Sequence, residues 1–269
     1  MLGLFYLDKG AGTPVVFVHG SNSDCRIWSD HIGIVARRYR VIAPTQRYSG
    51  SSAWPDDGRT FSIGTHAADL AAFITALKLA PVDVVGWSFG GAICLAAAAM
   101  HPGIIKRLFV YEPTLATFIE DPLSAQRAAD DRNAMIAAAK SSAARGNVDA
   151  AVELFMDGVN DDGGSFRGLP HEVRRMMLDN ARTLPLLFAA PSPPQVACED
   201  LRRIDMPVTV ALGADSRTFY KICAEWTVRC MASAELVTIP KARHLWPIQE
   251  PAAFSRVVID FLARGSEAG

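Results

Sequence analysis

The stretch VDVVGWSFGGA at residues 82–92 constrains the fold of this chain most strongly. An apolar run with strand character ends at Ser88, which is framed by Gly86 and Gly90, and an alanine-rich run with helical character follows directly. A tight turn from a strand into a helix holds its central residue in a crowded backbone conformation, so the flanking positions must be small. The pattern predicts that the Ser88 hydroxyl stands clear of a sheet, beside the backbone amide of Phe89 at a helix N-terminus.

Strand-like and helix-like segments alternate through the first half of the chain. Short apolar runs at 14–20, 38–44, 82–87 and 106–113 are separated by helical patterns, such as the one at 66–79 with its apolar residues on one face. Apolar runs of this kind, without polar alternation, are typical of parallel strands covered by helices on both faces.

The alternation stops between Pro113 and Met206, where the pattern is helical, and strands resume from Pro207. We therefore predict an α/β fold with a mostly parallel central sheet, flanking helices and an inserted helical cap. The predicted boundaries are a core domain of residues 1–112 and 207–269 and a cap of residues 113–206.

Composition limits the partners. The net charge is −1 and the charges are mixed along the chain, so we expect no nucleic-acid or membrane partner. No apolar run approaches the ~20 residues of a membrane helix, and the first residues lack the basic segment of a signal peptide. The five cysteines are scattered without a CxxC pair, so we expect buried thiols, no metal site and a cytoplasmic protein. They are Cys25, Cys94, Cys198, Cys223 and Cys230.

Three features together resemble the α/β-hydrolase family over about residues 4–264. HGSNSDCRIW at 19–28 is similar to that family's oxyanion loop, and KARHLWPIQEP at 241–251 places a histidine between the last strand and the last helix. The third feature is the chain order of serine, acid and histidine. The resemblance implies that Ser88 is the nucleophile, that His244 is its base, and that the backbone amides of Ser21 and Phe89 form the oxyanion hole.

The position of the acid that orients the histidine departs from the common pattern of the family. In that pattern the acid is the aspartate of a Gly-x-x-Asp sequence after the strand that follows the cap. Here Gly213 is in place, but Ser216 stands where the aspartate is usual and Asp215 lies one position early. Some relatives, many haloalkane dehalogenases among them, place the acid directly after the strand that follows the nucleophile helix, and Glu112 is in that register. Glu112 is the favoured acid, and Asp215 remains the alternative.

The loop APTQRYSGSS at 43–52 keeps Arg47, Gly50 and Ser52 of the family pattern but has Thr45 and Tyr48 at two other positions. Tyr48 is a candidate pocket residue, as are Trp87 and Trp246 beside the catalytic positions. The large side chains of the cap are apolar and are expected to shape a pocket for an apolar acyl group. They are Met135, Leu154, Phe155, Met156, Met176, Met177 and Phe188.

A serine nucleophile predicts acyl chemistry without a cofactor or a metal. We expect a small-molecule ester or lactone, cleaved through an acyl-enzyme. The alternatives are a carbon–carbon bond hydrolase of the meta-cleavage type, whose substrate carboxylate Arg174, Arg175 or Arg182 would bind, and a cofactor-free perhydrolase. An alternative outside the enzymes is a ligand-binding receptor that retains the serine, the histidine and the acid. Homo-oligomers are compatible with the sequence.

Overall fold

The computed structural model of the chain describes residues 4–51, 53–54, 56–190 and 196–264. Ser52, which the loop at 43–52 shares with the family pattern, lies outside these residues. Within them the strands are β1 (Tyr6–Lys9), β2 (Pro14–Val18), β3 (Arg40–Pro44), β4 (Val82–Trp87), β5 (Ile105–Tyr111), β6 (Val208–Gly213) and β7 (Ala234–Ile239). They form one sheet in the order β1-β3-β2-β4-β5-β6-β7.

The sheet is parallel except at one edge, where β1 runs antiparallel to β3 with Tyr6 opposite Pro44. The mostly parallel α/β architecture predicted from the alternation is confirmed. The short edge strand β1 was not predicted, because most of its residues are exposed and it lacks an apolar run.

Helices cover the sheet and fill the long connection between β5 and β6. The helices of the described residues are α1 (Ser29–Val35), α2 (Ile63–Ala76), α3 (Phe89–Met100), α4 (Pro122–Ala144), α5 (Val148–Asn160), α6 (Ser165–Gly168), α7 (His171–Asp179), α8 (Thr183–Ala189), α9 (Cys198–Arg202), α10 (Thr218–Cys230), α11 (Trp246–Gln249) and α12 (Pro251–Ala263). Helix α2 packs on α3, and α1 packs on α12. Helix α4 packs along α5 and against α10, so the inserted helices α4–α9 adjoin the C-terminal part of the core.

The centre of the sheet is buried on both faces. Every residue of β4 is buried, and this includes Asp83, whose carboxylate accepts two hydrogen bonds from Arg107 of β5 at 2.8 and 2.5 Å. Arg107 also donates to the carbonyl of Leu262 in α12 at 3.1 Å. A buried charge is tolerated only when it is paired and hydrogen-bonded, and here the pair joins the two central strands to the last helix.

The expectation of five unpaired thiols is wrong for two of the cysteines. Cys198 of α9 and Cys230 of α10 form a disulfide, with their Cα atoms 5.1 Å apart because the two helices pack side by side. Cys25, Cys94 and Cys223 are buried free thiols, as expected. No helix of the described ranges combines the length and the apolar character needed to cross a bilayer.

Candidate active site

Ser88 lies on a strained turn between β4 and α3. Its backbone dihedral angles are φ 57° and ψ −120°, a conformation that residues other than glycine rarely adopt. The two flanking glycines are required by close packing: a Cβ atom on Gly90 would lie 2.3 Å from the Val18 carbonyl oxygen, and one on Gly86 would lie 2.9 Å from the Cys94 sulfur. The turn therefore holds the Ser88 hydroxyl at the C-terminal edge of the central strand.

A hydrogen-bonded chain runs from Ser88 through His244 to Glu112. Ser88 Oγ lies 3.0 Å from His244 Nε2, and His244 Nδ1 lies 2.6 Å from Glu112 Oε2. A carboxylate only accepts, so Nδ1 carries the imidazole proton and Nε2 is left to accept the proton of the serine hydroxyl. All three residues are buried. The arrangement can deprotonate Ser88 as it attacks a carbonyl carbon.

Glu112 follows β5 directly and is completely buried. Its second oxygen, Oε1, accepts from the backbone amide of Gly213 at 2.8 Å and from the hydroxyl of Ser216. Ser216 is the residue that stands in the usual position of the acid, and in this chain it donates to the glutamate instead. Asp215, the alternative acid, is exposed on the neighbouring turn, where its backbone amide donates to the Ala242 carbonyl at 3.0 Å.

The loop that carries His244 is fastened on two sides. The indole nitrogen of Trp87 donates to the His244 carbonyl at 3.2 Å, and the backbone amide of Leu245 donates to the side chain of Asn160 at 3.0 Å. Asn160 ends α5 of the helical insertion, so the insertion helps to position the base. The ring of Tyr220 stacks on the His244 ring with centroids 4.0 Å apart and an interplanar angle of 6°. The sequence analysis missed both Asn160 and Tyr220, because neither lies in a motif.

His19 has the structural role expected for it in the loop after β2. Nε2 accepts from the Gln46 amide at 3.0 Å, and Nδ1 donates to the Gly20 carbonyl at 2.8 Å. Burial lowers the pKa of His19 to about 4, so the ring is neutral at neutral pH. This ring ties the loop that carries Ser21 to the loop after β3.

Ser21, Ser88 and Phe89 line the same cavity, which has a volume of about 460 Å³. Its walls are mainly apolar, and much of them comes from the inserted helices. Three of the large cap side chains named from the sequence line it, namely Met135, Phe155 and Phe188. The cavity places apolar surface next to the hydroxyl of Ser88.

The three aromatic pocket candidates do not line this cavity. Trp87 borders a narrow cleft beside Ser88 and His244. Tyr48 is held away by hydrogen bonds from its hydroxyl to Asp56 and by packing on Phe61, and Trp246 packs on Tyr111 in the core. Their proximity in sequence to site residues does not fix the direction of their side chains.

The cationic residues at the cavity also differ from those named in the sequence analysis. Arg174, Arg175 and Arg182 are not among the described residues that line it, whereas Arg132 of α4 is. Arg182 lies over the Trp54 ring and donates to the Gly50 carbonyl at 2.9 Å. Helical spacing within α4 was the signal for Arg132, since it lies three and four positions from Ala129 and Ala128, which also line the cavity.

Comparisons with known proteins agree with this fold. The model of the family described as the alpha/beta hydrolase family matches residues 15–257. A 2-hydroxy-6-oxo-2,4-heptadienoate hydrolase from Pseudomonas putida is 40% identical over 104 residues, which are 38% of this chain and 37% of that protein. The chain thus matches little more than a third of the length of that relative and of other curated relatives with strong local similarity.

Two further proteins are similar over most of their length. A non-heme chloroperoxidase from Streptomyces lividans is 30% identical over 244 residues, covering 87% of this chain and 86% of that protein. The structure of a thermophilic esterase from Thermogutta terrifontis has the same fold, with a TM-score of 0.74 at 22% identity and coverage of 97% of this chain and 93% of that one. The family model matches most of the chain, and the chloroperoxidase is 30% identical over 87% of it, so the protein belongs to the alpha/beta hydrolase family.

Proposed function

We propose that this protein is a serine hydrolase that cleaves a carboxylic ester or lactone through an acyl-enzyme. The observation that carries the proposal is the buried chain Ser88–His244–Glu112, with hydrogen-bond distances of 3.0 and 2.6 Å, whose serine faces a cavity. A serine hydroxyl is a weak nucleophile at neutral pH and needs a base that is itself oriented by an acid. In this protein His244 supplies the base and Glu112 supplies the acid.

The proposed reaction has two half-reactions. Ser88 Oγ bonds to the carbonyl carbon while His244 Nε2 takes the hydroxyl proton, and that proton goes to the alcohol as the ester bond breaks. Water then attacks the acyl-enzyme, His244 takes a proton from it, and the acid is released as Ser88 is reprotonated. Glu112 keeps the imidazole oriented and stabilises its charged form in both steps.

The negative oxygen of the tetrahedral intermediate needs hydrogen-bond donors. The backbone amides of Ser21 and Phe89 are the proposed donors, and their support is that both residues line the cavity beside Ser88. Phe89 is the first residue of α3, where backbone amides lack partners within the helix. The loss of one such donor costs about 3–4 kcal/mol of barrier height.

The substrate class follows from the walls of the cavity. Its apolar lining by residues such as Met135, Ile136, Phe155 and Phe188 favours an apolar acyl group. The flexible Met135 side chain at the wall suits ligands of varied shape.

The experiment is the hydrolysis of p-nitrophenyl esters graded in acyl length, by wild type and Ser88→Ala. We expect wild type to release p-nitrophenolate in a burst that matches the enzyme concentration, because the acyl-enzyme accumulates. Ser88→Ala is expected to fall by at least about 10³-fold in kcat/KM, without a burst. Wild type without turnover on any acyl length would contradict the proposal.

Carbon–carbon bond hydrolysis is the second candidate. It is supported by the 40% identity over 104 residues to the 2-hydroxy-6-oxo-2,4-heptadienoate hydrolase and by the cationic Arg132 at the cavity. The same serine and histidine would act on a vinylogous diketone acid. Cleavage of such a ring-fission product by a wild-type enzyme that leaves the esters intact would favour this candidate over the first.

Perhydrolysis is supported by the similarity to the non-heme chloroperoxidase over 87% of the chain. Hydrogen peroxide would then replace water as the acceptor of the acyl group. Peracid formation from acetate and peroxide by wild type, lost in Ser88→Ala, tests it.

A further inference from the structure

The inward face of α4 differs from the other walls of the cavity in carrying a charge. An inward helix face is expected to be an apolar stripe at spacings of three and four residues. In α4 this face includes Arg132, which is the one charged side chain among the described residues that line the cavity. The residues of α4 that line it are Ala125, Ala128, Ala129, Arg132, Asn133, Met135 and Ile136.

The neighbouring carboxylates are engaged elsewhere. Asp131 accepts from Arg217 at 2.7 Å and from the backbone amide of Phe219 at 2.9 Å, and Asp130 accepts from Gln126 at 2.8 Å. Among the described residues no carboxylate lies within ion-pair distance of Arg132. The guanidinium therefore keeps its five donors for another acceptor.

Exposure distinguishes Arg132 from the nucleophile. Both residues line the cavity, but Ser88 is only 6% exposed, whereas Arg132 is exposed to solvent. The same cavity is lined by apolar side chains such as Ala128, Ile136 and Phe155. A molecule that fills the cavity therefore contacts the buried serine, apolar surface and an exposed cation.

We propose that Arg132 binds a carboxylate on the substrate, at the end remote from the bond that Ser88 attacks. The inference rests on the proposed acyl hydrolysis and narrows its substrate to anionic esters with an apolar spacer. A guanidinium binds a carboxylate through two parallel hydrogen bonds, which fixes orientation as well as charge. Because Arg132 is exposed, the carboxylate that it binds stays partly solvated, so the substrate does not bury an unpaired charge.

The kinetic test uses mono-p-nitrophenyl esters of dicarboxylic acids from glutaric to sebacic acid. Each is compared with its neutral counterpart, in which the free carboxylate is a methyl ester. At the spacer length that wild type prefers, we expect Arg132→Gln to lower kcat/KM for the anionic ester about tenfold and to leave the neutral ester within about twofold. Arg132→Lys is expected to be intermediate, because it keeps the charge and loses the paired geometry.

Arg127 provides the matched control, since it lies on the same helix but is not among the residues lining the cavity. Arg127→Gln is expected to leave the ratio of the two esters unchanged. An equal fall on both esters in Arg132→Gln, or no fall on the anionic ester, would overturn the inference while leaving the proposed function in place.

Binding gives a readout that does not need turnover. In the Ser88→Ala background, calorimetry compares monomethyl suberate with dimethyl suberate. We expect the monoanion to bind about tenfold more tightly, and the added Arg132→Gln change to remove that preference. Equal affinities of the two ligands would overturn the inference, whether or not wild type cleaves the esters. A wild type that cleaves none of the esters would separately contradict the proposed function.

Discussion

At the residue scale, Ser88 and Glu112 share an unusual backbone feature. Both have positive φ angles, 57° and 47°, although neither is a glycine. Such conformations cost about 1–3 kcal/mol each and persist only where the surrounding structure enforces them. Here the backbone amide of Ser88 donates a hydrogen bond to the Tyr111 carbonyl at 2.9 Å, and that of Glu112 donates one to the Ala211 carbonyl at 3.0 Å. The strain at both positions aims two side chains at one histidine.

Tyr220 gives a prediction at the same scale. Its ring lies flat against the His244 ring, and a π face would stabilise the charged imidazolium that forms in the proposed reaction. We expect Tyr220→Leu to lower kcat about tenfold, since an aromatic stack contributes about 0.5–1.5 kcal/mol. Tyr220→Phe is expected to stay within about twofold of wild type, because the ring remains.

The two variants separate stacking from packing. Tyr220 also lines the cavity, so a loss of shape alone would appear in KM for long acyl esters. Steady-state kinetics on a short ester therefore reads the effect on kcat. A loss in Tyr220→Phe as large as that in Tyr220→Leu would show that the hydroxyl, which donates to the Met135 sulfur at 3.3 Å, matters and the stack does not.

At the scale of elements, the candidate active site lies where it does because its residues follow the C-terminal ends of neighbouring strands. Ser88 follows β4, Glu112 follows β5, and the turn with Ser216 follows β6, so three adjacent parallel strands bring these residues to one edge of the sheet. Ligands bind at the carboxyl ends of strands in sheets of this kind. The acid can therefore stand after β5 or after β6 and still reach the same histidine. In this chain the glutamate reaches it, and Ser216 donates to that glutamate.

The sequence predicted the elements with strong periodicity and the residues in motifs. Strands β2 to β5 and helix α2 lie where the alternation of apolar runs and helical patterns placed them, and α4 and α5 lie in the stretch predicted to be helical between Pro113 and Met206. The edge strand β1 carries no such pattern, because most of its residues are exposed to solvent. The resemblance to the α/β-hydrolase family implied that Ser88 and His244 are partners, and the structure brings them within 3.0 Å.

The sequence did not predict contacts between segments that are far apart along the chain. The disulfide between Cys198 and Cys230 depends on how α9 packs on α10, and no spacing rule predicts it. The stack of Tyr220 on His244 likewise joins residues on α10 and on the loop after β7. Side-chain direction was equally hidden, so Tyr48 and Trp246 were candidates for a pocket that they do not line.

At the scale of the whole molecule, buried histidines link stability to pH. Burial lowers the pKa of His19 and that of His31 to about 4 each, from 6.5 in the unfolded chain. Between pH 6.5 and about pH 4 the unfolded state therefore binds more protons than the folded state, so stability falls as the pH falls. Above pH 6.5 both states are neutral at these residues, and the stabilisation is fully present.

We expect the free energy of unfolding to decrease by about 2 kcal/mol per buried histidine between pH 7 and pH 5. Urea titrations at several pH values measure it, and a constant slope against denaturant indicates that the unfolded state is unchanged. Stability that is level or rises towards pH 5 would contradict the neutral, buried state of His19 and His31.

The most direct measurement of the central claim is kcat/KM for Glu112→Gln beside Asp215→Asn, on the p-nitrophenyl ester that wild type cleaves best. Glutamine keeps the shape of Glu112 but cannot hold the charge that orients and stabilises the His244 imidazolium. We predict a loss of about 10³-fold or more in Glu112→Gln and a change within about twofold in Asp215→Asn. The opposite order, or two variants as active as wild type, would contradict the assignment of Ser88, His244 and Glu112 as the catalytic triad.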